Sequence, residues 1–186
     1  PTTTGWRGRP PLRAWIRPAP GADYGRRGTV RPYVGASARW YGALEIGTLG
    51  GDLYAAVADA FAGSGFGSVL NPGHLIGYEE WVHSPIAADS SVSLCSGMAL
   101  QSDIIPGPLP PGRALNCEDT VALADAPLRA ELAHGWPDVW RRIQSRREFM
   151  VEGLGINLAP EVLPLSNTPG YLAPFWLADD LVCRLD

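Results

Sequence analysis

The sequence predicts an α+β domain built on an antiparallel sheet. Its 186 residues include 18 prolines and 22 glycines, too many for long uninterrupted helices and typical of short strands joined by turns. Strand-like runs at 66–70, 74–82, 97–105 and 119–124 are separated by Gly, Pro and Ser clusters, and their connection lengths favour antiparallel pairing. With 46% hydrophobic and 18% charged residues, the chain is long enough for one domain with a full core, which we expect to span 1–186.

The residues before these runs predict a lead-in, a strand and a helix. Prolines in 1–22 predict an irregular lead-in with one strand near 12–16. Residues 28–35 predict a strand between two glycines, with Pro32 at an edge or a bulge. From Gly50 the pattern becomes helical, because apolar residues recur on one stripe, Asp52 is available as the N-cap and Gly63 ends the run.

The residues after these runs predict two helices and an extended tail. Pro127 and Pro137 each predict the start of a helix, and Gly153 ends the second one. The second helix carries four arginines at helical spacing beside two glutamates, which predicts a solvated face and not a nucleic-acid surface. These arginines are Arg141, Arg142, Arg146 and Arg147. The tail at 156–186 predicts an extended strap packed on the domain.

The composition argues against several functional classes. A net charge of −4 disfavours a general nucleic-acid binder, because phosphate binding depends on accumulated Lys and Arg charge. No apolar run approaches the roughly 20 residues of a membrane span, so we expect a cytoplasmic protein without a membrane or nucleic-acid partner. Cys95, Cys117 and Cys183 show no Cys-x-x-Cys spacing, which favours buried free thiols over a disulfide framework or a zinc knuckle.

Three short phrases place polar side chains inside or at the end of apolar, strand-like runs. In these runs an unpaired polar group would cost a few kcal/mol, so it usually has a charged partner or a metal. The polar groups are the imidazole of His74 and the carboxylates of Asp103 and Glu118. The phrases are Asn71–Gly77 (NPGHLIG), Ser96–Asp103 (SGMALQSD) and Asn116–Val121 (NCEDTV).

In their order and flanking residues, these phrases resemble those of the pita-bread hydrolases, the family of methionine aminopeptidase, aminopeptidase P, prolidase and creatinase. That family writes them as Gly-His-x-Ile-Gly, Gly-Met-x-x-x-x-Glu-Pro and Glu-Asp-Thr-Val. The resemblance covers roughly residues 25–125 and implies a pita-bread fold, a curved antiparallel sheet flanked by helices. A complete pita-bread domain is usually longer than this chain, so we expect a truncated catalytic half.

The resemblance also implies a metal site. In that family, two early aspartates, one histidine and two glutamates hold two divalent metals that share a bridging water. His74 stands in the place of the histidine, Asp103 in that of the first glutamate and Glu118 in that of the second. One histidine and two carboxylates can form a mononuclear site with an open position.

The two early aspartates have no counterparts in the alignment that the resemblance suggests. If Thr29–Arg31 matches the family's early Thr-Arg phrase, these positions fall near Gly28 and Arg17, which are not ligands, and Asp23 lies between them. We therefore expect a reduced or absent metal site, holding one divalent metal, Mn or Zn, or none.

The first functional hypothesis is a divergent hydrolase, similar to Xaa-Pro aminopeptidases or creatinase, that acts on a short peptide or a small amide. Its candidate catalytic residues are His74, as a base oriented by Glu118, and His83, near the place of a second family histidine. Two alternatives are open. One is a catalytically inactive pseudoenzyme that serves as a binding platform, and the other is a metal-free enzyme that reuses the pocket.

Aromatic residues near the phrases are candidates for a substrate pocket. Tyr78 and Trp81 belong to it, and Trp40 and Tyr41 either join them around a small organic or cationic ligand or belong to the core and its rim.

The tail offers a candidate homodimer surface in Tyr171, Phe175 and Trp176, because homodimers are common in the aminopeptidase P and creatinase branches. The same residues can instead cover the domain's own sheet.

Overall fold

The structure, a computed structural model, describes residues 26–77, 82–111, 115–166 and 183–185. It has an α+β fold, as predicted from the sequence. The helical segments are a π-helical turn at Arg26–Val30, α1 (Arg31–Ala43), α2 (Gly50–Ala60), α3 (Ala126–Gly135), α4 (Pro137–Glu148) and a π-helical turn at Phe149–Gly153. Among the helices in these ranges, none combines the length and the apolar character that a membrane span requires.

In the part of the chain that the structure describes, six short strands form two antiparallel sheets. The main sheet has four strands in the order β2-β3-β5-β6, and β1 pairs with β4 in a two-stranded sheet. The antiparallel prediction is therefore confirmed. The strands are β1 (Gly67–Ser68), β2 (His74–Leu75), β3 (Ala99–Ser102), β4 (Pro106–Gly107), β5 (Asp119–Leu123) and β6 (Val162–Pro164).

The ends of the chain are described only in part. Within the predicted tail strap, β6 pairs with β5 and becomes the last strand of the main sheet. The predicted strand at 12–16 lies outside the described residues, and so do Asp23 and the candidate dimer residues Tyr171, Phe175 and Trp176.

The strand predicted at 28–35 is wrong, because this segment is helical. Tyr33, Ala36, Trp40 and Tyr41 are buried and recur at the spacing of one helix face. Pro32 lies in the first turn of α1, where its fixed φ and missing N–H suit a helix start, so it marks no strand edge. The alignment that placed the early aspartates near Gly28 and Arg17 therefore rests on a strand that does not form.

The helix predicted from residue 50 forms, but Asp52 is not its cap. Leu49 is the N-cap residue, and the first amides of α2 donate to backbone carbonyls of a neighbouring loop. The N–H of Gly50 donates to the Val92 carbonyl at 2.8 Å, and that of Gly51 to the Ser90 carbonyl at 2.9 Å. This contact needs glycine, since a Cβ on residue 50 would lie 1.9 Å from the Pro85 carbonyl oxygen.

The hydrophobic core lies between the main sheet and the helices. Residues of α1 and α2 pack with the buried faces of β3, β5 and β6, including Leu100, Val121 and Val162. A smaller cluster joins Ile143 of α4 to Leu163 of β6. The main core therefore lies between the sheet and helices α1 and α2, while the α3–α4 hairpin packs near β6.

The arginines of α4 do not all form the solvated face predicted from the sequence. Arg141 is exposed and pairs with Asp138 at 3.0 Å. Arg147 instead donates to the backbone carbonyls of Leu158, Ala159 and Val162. Burial, with a smaller contribution from the positive charge of Arg129, lowers the pKa of Arg147. Arg147 therefore fastens the chain that leads into β6 to the end of α4.

Replacing Arg147 by methionine keeps the aliphatic stem and removes the donors to three carbonyls. We expect the free energy of unfolding in urea to fall by about 2–3 kcal/mol, as for hydrogen bonds from a charged group. Arg141→Met on the same helix is the matched control, and its exposed ion pair predicts a change below about 1 kcal/mol. Equal losses in the two variants would contradict the role assigned to Arg147.

Candidate functional site

His74 begins β2 and lies opposite Gln101 of β3. Its side chain is buried, with 7% of its surface exposed. The Nδ1 atom is 2.8 Å from the Leu75 carbonyl oxygen. Because a carbonyl only accepts hydrogen bonds, Nδ1 carries the proton and Nε2 carries the lone pair in the neutral ring. That lone pair is available to a cation or a proton.

Asp103 follows β3 directly and faces His74. Its Oδ2 atom lies 3.8 Å from His74 Nε2, and its side chain is 15% exposed. The Asn116 side chain donates to the other oxygen, Oδ1, at 3.3 Å. Asn116 thus leaves Oδ2 as the oxygen turned toward the imidazole.

Glu118 directly precedes β5 and completes the group. Its Oε1 atom lies 4.0 Å from His74 Nε2, and its side chain is 42% exposed. The Gln101 side chain donates to the same Oε1 atom. Because strand residues alternate between faces, Glu118 points to the site while Asp119 points into the core, where it is 2% exposed.

The structure thus brings together the three residues that the sequence singled out. One ligand atom from each of His74, Asp103 and Glu118 lies within 4.8 Å of the others. Two carboxylates this close repel each other by about 3 kcal/mol at an effective dielectric constant of 20, less where water reaches Glu118. The arrangement therefore favours a cation bound between the two carboxylates.

The donor set fits a divalent first-row metal. Imidazole nitrogen and carboxylate oxygen bind zinc at about 2.0–2.2 Å, so two donors to one ion lie no more than about 4.4 Å apart. The separations from His74 Nε2, 3.8 Å to Asp103 and 4.0 Å to Glu118, lie within this limit. The three ligand atoms together lie within 4.8 Å, so binding one ion requires at most a small approach of the two carboxylates. Aspartate at position 103 is therefore long enough, although it is one methylene shorter than the glutamate of the pita-bread phrase.

The other predicted site residues do not join this group. His83 is exposed in a turn and is not a member of it. Tyr78 and Trp81 lie outside the described residues. Trp40 is 0% and Tyr41 is 1% exposed, so both belong to the core and do not line an open pocket.

Gln101 and Asn116 orient the carboxylates and were not predicted. Gln101 precedes Asp103 by two residues, and this spacing places both on one face of a strand. Asn116 likewise precedes Glu118 by two. A two-residue polar spacing at each carboxylate was thus the signal available in the sequence.

Only one of the three cysteines is buried, contrary to the prediction for all three. Cys95 is exposed, Cys117 is half-buried and Cys183 is buried. Burial, followed by the negative charge of Asp119, raises the pKa of the Cys117 thiol to about 11. The raised pKa keeps the Cys117 thiol protonated at neutral pH, and Cys117 directly precedes Glu118 in the chain.

Cys117 should react slowly with iodoacetamide, because the thiolate is the reactive form. At pH 8.5 we expect its labelling to be at least about tenfold slower than that of Cys95, as measured by mass spectrometry of peptides.

The folded state holds the Cys117 thiol proton more tightly than the unfolded state. Stability should therefore fall as pH rises from about 9 to about 11, and less steeply in Cys117→Ala. Similar labelling rates at the two cysteines would contradict the shift.

A cavity of about 300 Å³ lies between α2 and β1. Its walls include Val57 of α2, Phe61 directly after α2, Phe66 and Pro72, and most of this lining is apolar. Pro72 precedes His74 by two residues, so the cavity wall is continuous in sequence with β2. The cavity suits an apolar group better than a charged one.

No protein-family model and no curated protein matches the chain. Among solved structures, it is similar to dipeptidase PepE from Mycobacterium ulcerans, with 30% identity and a TM-score of 0.42 over 50% of this chain and 26% of that one. It is also similar to a dipeptidase from Pyrococcus horikoshii OT3, with 22% identity and a TM-score of 0.37 over 49% of this chain and 26% of that one. The chain thus spans about a quarter of the length of each dipeptidase.

Proposed function

We propose that this chain is a hydrolase of short peptides or small amides, related to the pita-bread hydrolases, with one divalent cation held by His74, Asp103 and Glu118. The observation that carries the proposal is the convergence of their three ligand atoms within 4.8 Å. The sequence phrases around the three residues support the same relationship.

The chain's own residues prepare the site. His74, Asp103 and Glu118 would hold the cation, which would supply Lewis-acid polarisation of an amide carbonyl and a lowered pKa of water at neutral pH. The Leu75 carbonyl fixes the imidazole so that Nε2 faces the carboxylates. Gln101 and Asn116 donate to those carboxylates and hold their orientation, as outer partners of metal ligands commonly do.

Zinc and manganese are the cations to test first. Imidazole suits zinc, and carboxylates suit both zinc and manganese. A site with three protein ligands is typical of catalytic zinc, because it keeps a position open for water or substrate.

Removing the imidazole should abolish stoichiometric metal binding. We expect about one equivalent of Zn²⁺ or Mn²⁺ per chain by elemental analysis after loading and gel filtration, and less than about a tenth of this in His74→Ala. Asp103→Asn and Glu118→Gln should weaken binding in the same direction, since each removes one anionic ligand. His134→Ala, at the exposed end of α3, is the matched control.

Activity then distinguishes a hydrolase from a binding platform. The metal-loaded protein should cleave dipeptides, including Xaa-Pro dipeptides, or small amides in an amine-release assay, and His74→Ala should not. Metal binding without cleavage of any of these substrates would favour the pseudoenzyme. Absence of metal binding in the wild-type protein would refute the metal-dependent proposal.

The lone pair on His74 Nε2 supports a metal-free enzyme as the second candidate. With Nδ1 held by the Leu75 carbonyl, Nε2 can accept a proton from water or substrate, and the carboxylates stabilise the resulting imidazolium. This candidate requires hydrolysis that survives chelation by EDTA and is lost in His74→Ala. The metal-dependent enzyme loses activity in both cases.

Because Pro72 lines the cavity beside α2 and precedes His74 by two residues, we propose that this cavity receives an apolar group of the substrate. Ala58 lines this cavity from an exposed position, so Ala58→Trp can fill it without replacing a core residue. We expect KM for peptides with large apolar side chains to rise about tenfold or more, with metal affinity unchanged. Ala55→Trp, exposed on the same helix and not part of the lining, is the control. The same KM in both variants would contradict this placement.

A further inference from the structure

A buried hydrogen-bonded group lies on the core side of the strands that carry Asp103 and Glu118. The Tyr41 hydroxyl of α1 lies 3.1 Å from Ser102 Oγ and donates to Asp119 Oδ2 at 3.4 Å. The Ser102 hydroxyl has a single proton and two acceptors within reach, the Tyr41 oxygen at 3.1 Å and the Asp119 carbonyl oxygen at 3.5 Å. Tyr41, Ser102 and Asp119 are each no more than 2% exposed.

A second tyrosine on the same helix holds the other neighbour of Glu118. The backbone N–H of Cys117 donates to the Tyr33 hydroxyl oxygen at 2.6 Å. Tyr33 and Tyr41 are eight residues apart, which places them on one face of α1. One rigid helix therefore contacts Cys117 and Asp119, on the two sides of Glu118, and also Ser102, the residue before Asp103.

The buried Asp119 carboxylate accepts hydrogen bonds from protein groups, where an exposed carboxylate would accept them from water. Its Oδ1 atom accepts from the Thr120 N–H at 2.8 Å, and its Oδ2 atom accepts from Tyr41. Burial, followed by the charge of Asp119, raises the pKa of Tyr41 well above its usual range, so the hydroxyl keeps the proton that it donates. Loss of this hydroxyl leaves the buried Asp119 carboxylate with one donor fewer. We therefore expect the carboxylate to move towards another donor or towards water.

We propose that Tyr41 and Tyr33 are positioning residues that set the separation of the Asp103 and Glu118 carboxylates and thereby the affinity of the site for a divalent cation. This inference rests on the proposed function. Neither hydroxyl touches the ligand atoms, so each acts through Ser102, Cys117 or Asp119. The effect should be smaller than the loss of a ligand and similar to that of an outer partner of a metal ligand.

Phenylalanine variants test the inference because they remove only the hydroxyls. In Tyr41→Phe and Tyr33→Phe we expect Kd for Zn²⁺ or Mn²⁺ to rise about tenfold by calorimetry. The visible absorption spectrum of Co²⁺ bound at the site should change as well, since it reports ligand geometry. Tyr54→Phe, a half-buried tyrosine on α2, is the matched control and should change neither quantity.

Hydrogen exchange of the metal-free protein in EDTA supplies a readout that does not depend on metal. We expect faster exchange at the Cys117 amide in Tyr33→Phe and at the Thr120 amide in Tyr41→Phe, with the amides of β6 unchanged. If either variant fails to fold, the other still tests the inference, because the two hydroxyls hold different residues.

The outcomes separate the two proposals. Unchanged Kd and an unchanged Co²⁺ spectrum, even with lower stability in urea, would overturn the positioning role. If the wild-type protein binds no metal, the metal-dependent function and the effect on affinity both fail. In that case, faster exchange at the Cys117 and Thr120 amides would still support the claim that the two tyrosines hold the neighbours of Glu118. Unchanged exchange would refute that claim.

Discussion

The antiparallel register of β2, β3 and β5 is the constraint on which the candidate site depends. His74 lies opposite Gln101, and Ser102 lies opposite Asp119. This pairing brings together an imidazole and two carboxylates from three distant parts of the chain. A slip of one residue in β5 would turn Asp119 toward the site and Glu118 toward the core, because side chains alternate along a strand. The site is therefore a property of the sheet and not of any one phrase.

The adjacent acids Glu118 and Asp119 show how the pleat of a strand assigns different environments to similar groups. Glu118 faces solvent and the imidazole, and it has an amide donor in Gln101. Asp119 faces the core and is satisfied by a hydroxyl and a backbone amide. The first carboxylate remains exposed enough to bind a cation, whereas the second is removed from solvent and accepts hydrogen bonds from Tyr41 and Thr120.

The sequence was sufficient for the α+β class and the antiparallel pairing, because these depend on local patterns. The three phrases singled out His74, Asp103 and Glu118, and the register of the sheet brings these residues together. The sequence was misleading at 28–35, where Pro32 suits a strand edge and a helix start equally well. The carbonyl contacts of Arg147 could not be predicted, because they depend on the path of 158–162 past the end of α4. The spacing of charges alone cannot show which arginine of a helix donates hydrogen bonds to backbone carbonyls.

Gly73 bears on how the Gly-His pair of this chain is interpreted. Its φ is +134°, and a Cβ there would lie 2.7 Å from the Gln101 carbonyl oxygen, so a side chain is excluded by the backbone of β3. The glycine before His74 is thus required by strand packing whether or not the histidine performs chemistry. A Gly-His pair at this place in a sequence therefore reports on the packing of the sheet, whatever the histidine does. The glycine informs on the packing of the sheet, whereas His74, Asp103 and Glu118 inform on the chemistry that the site can perform.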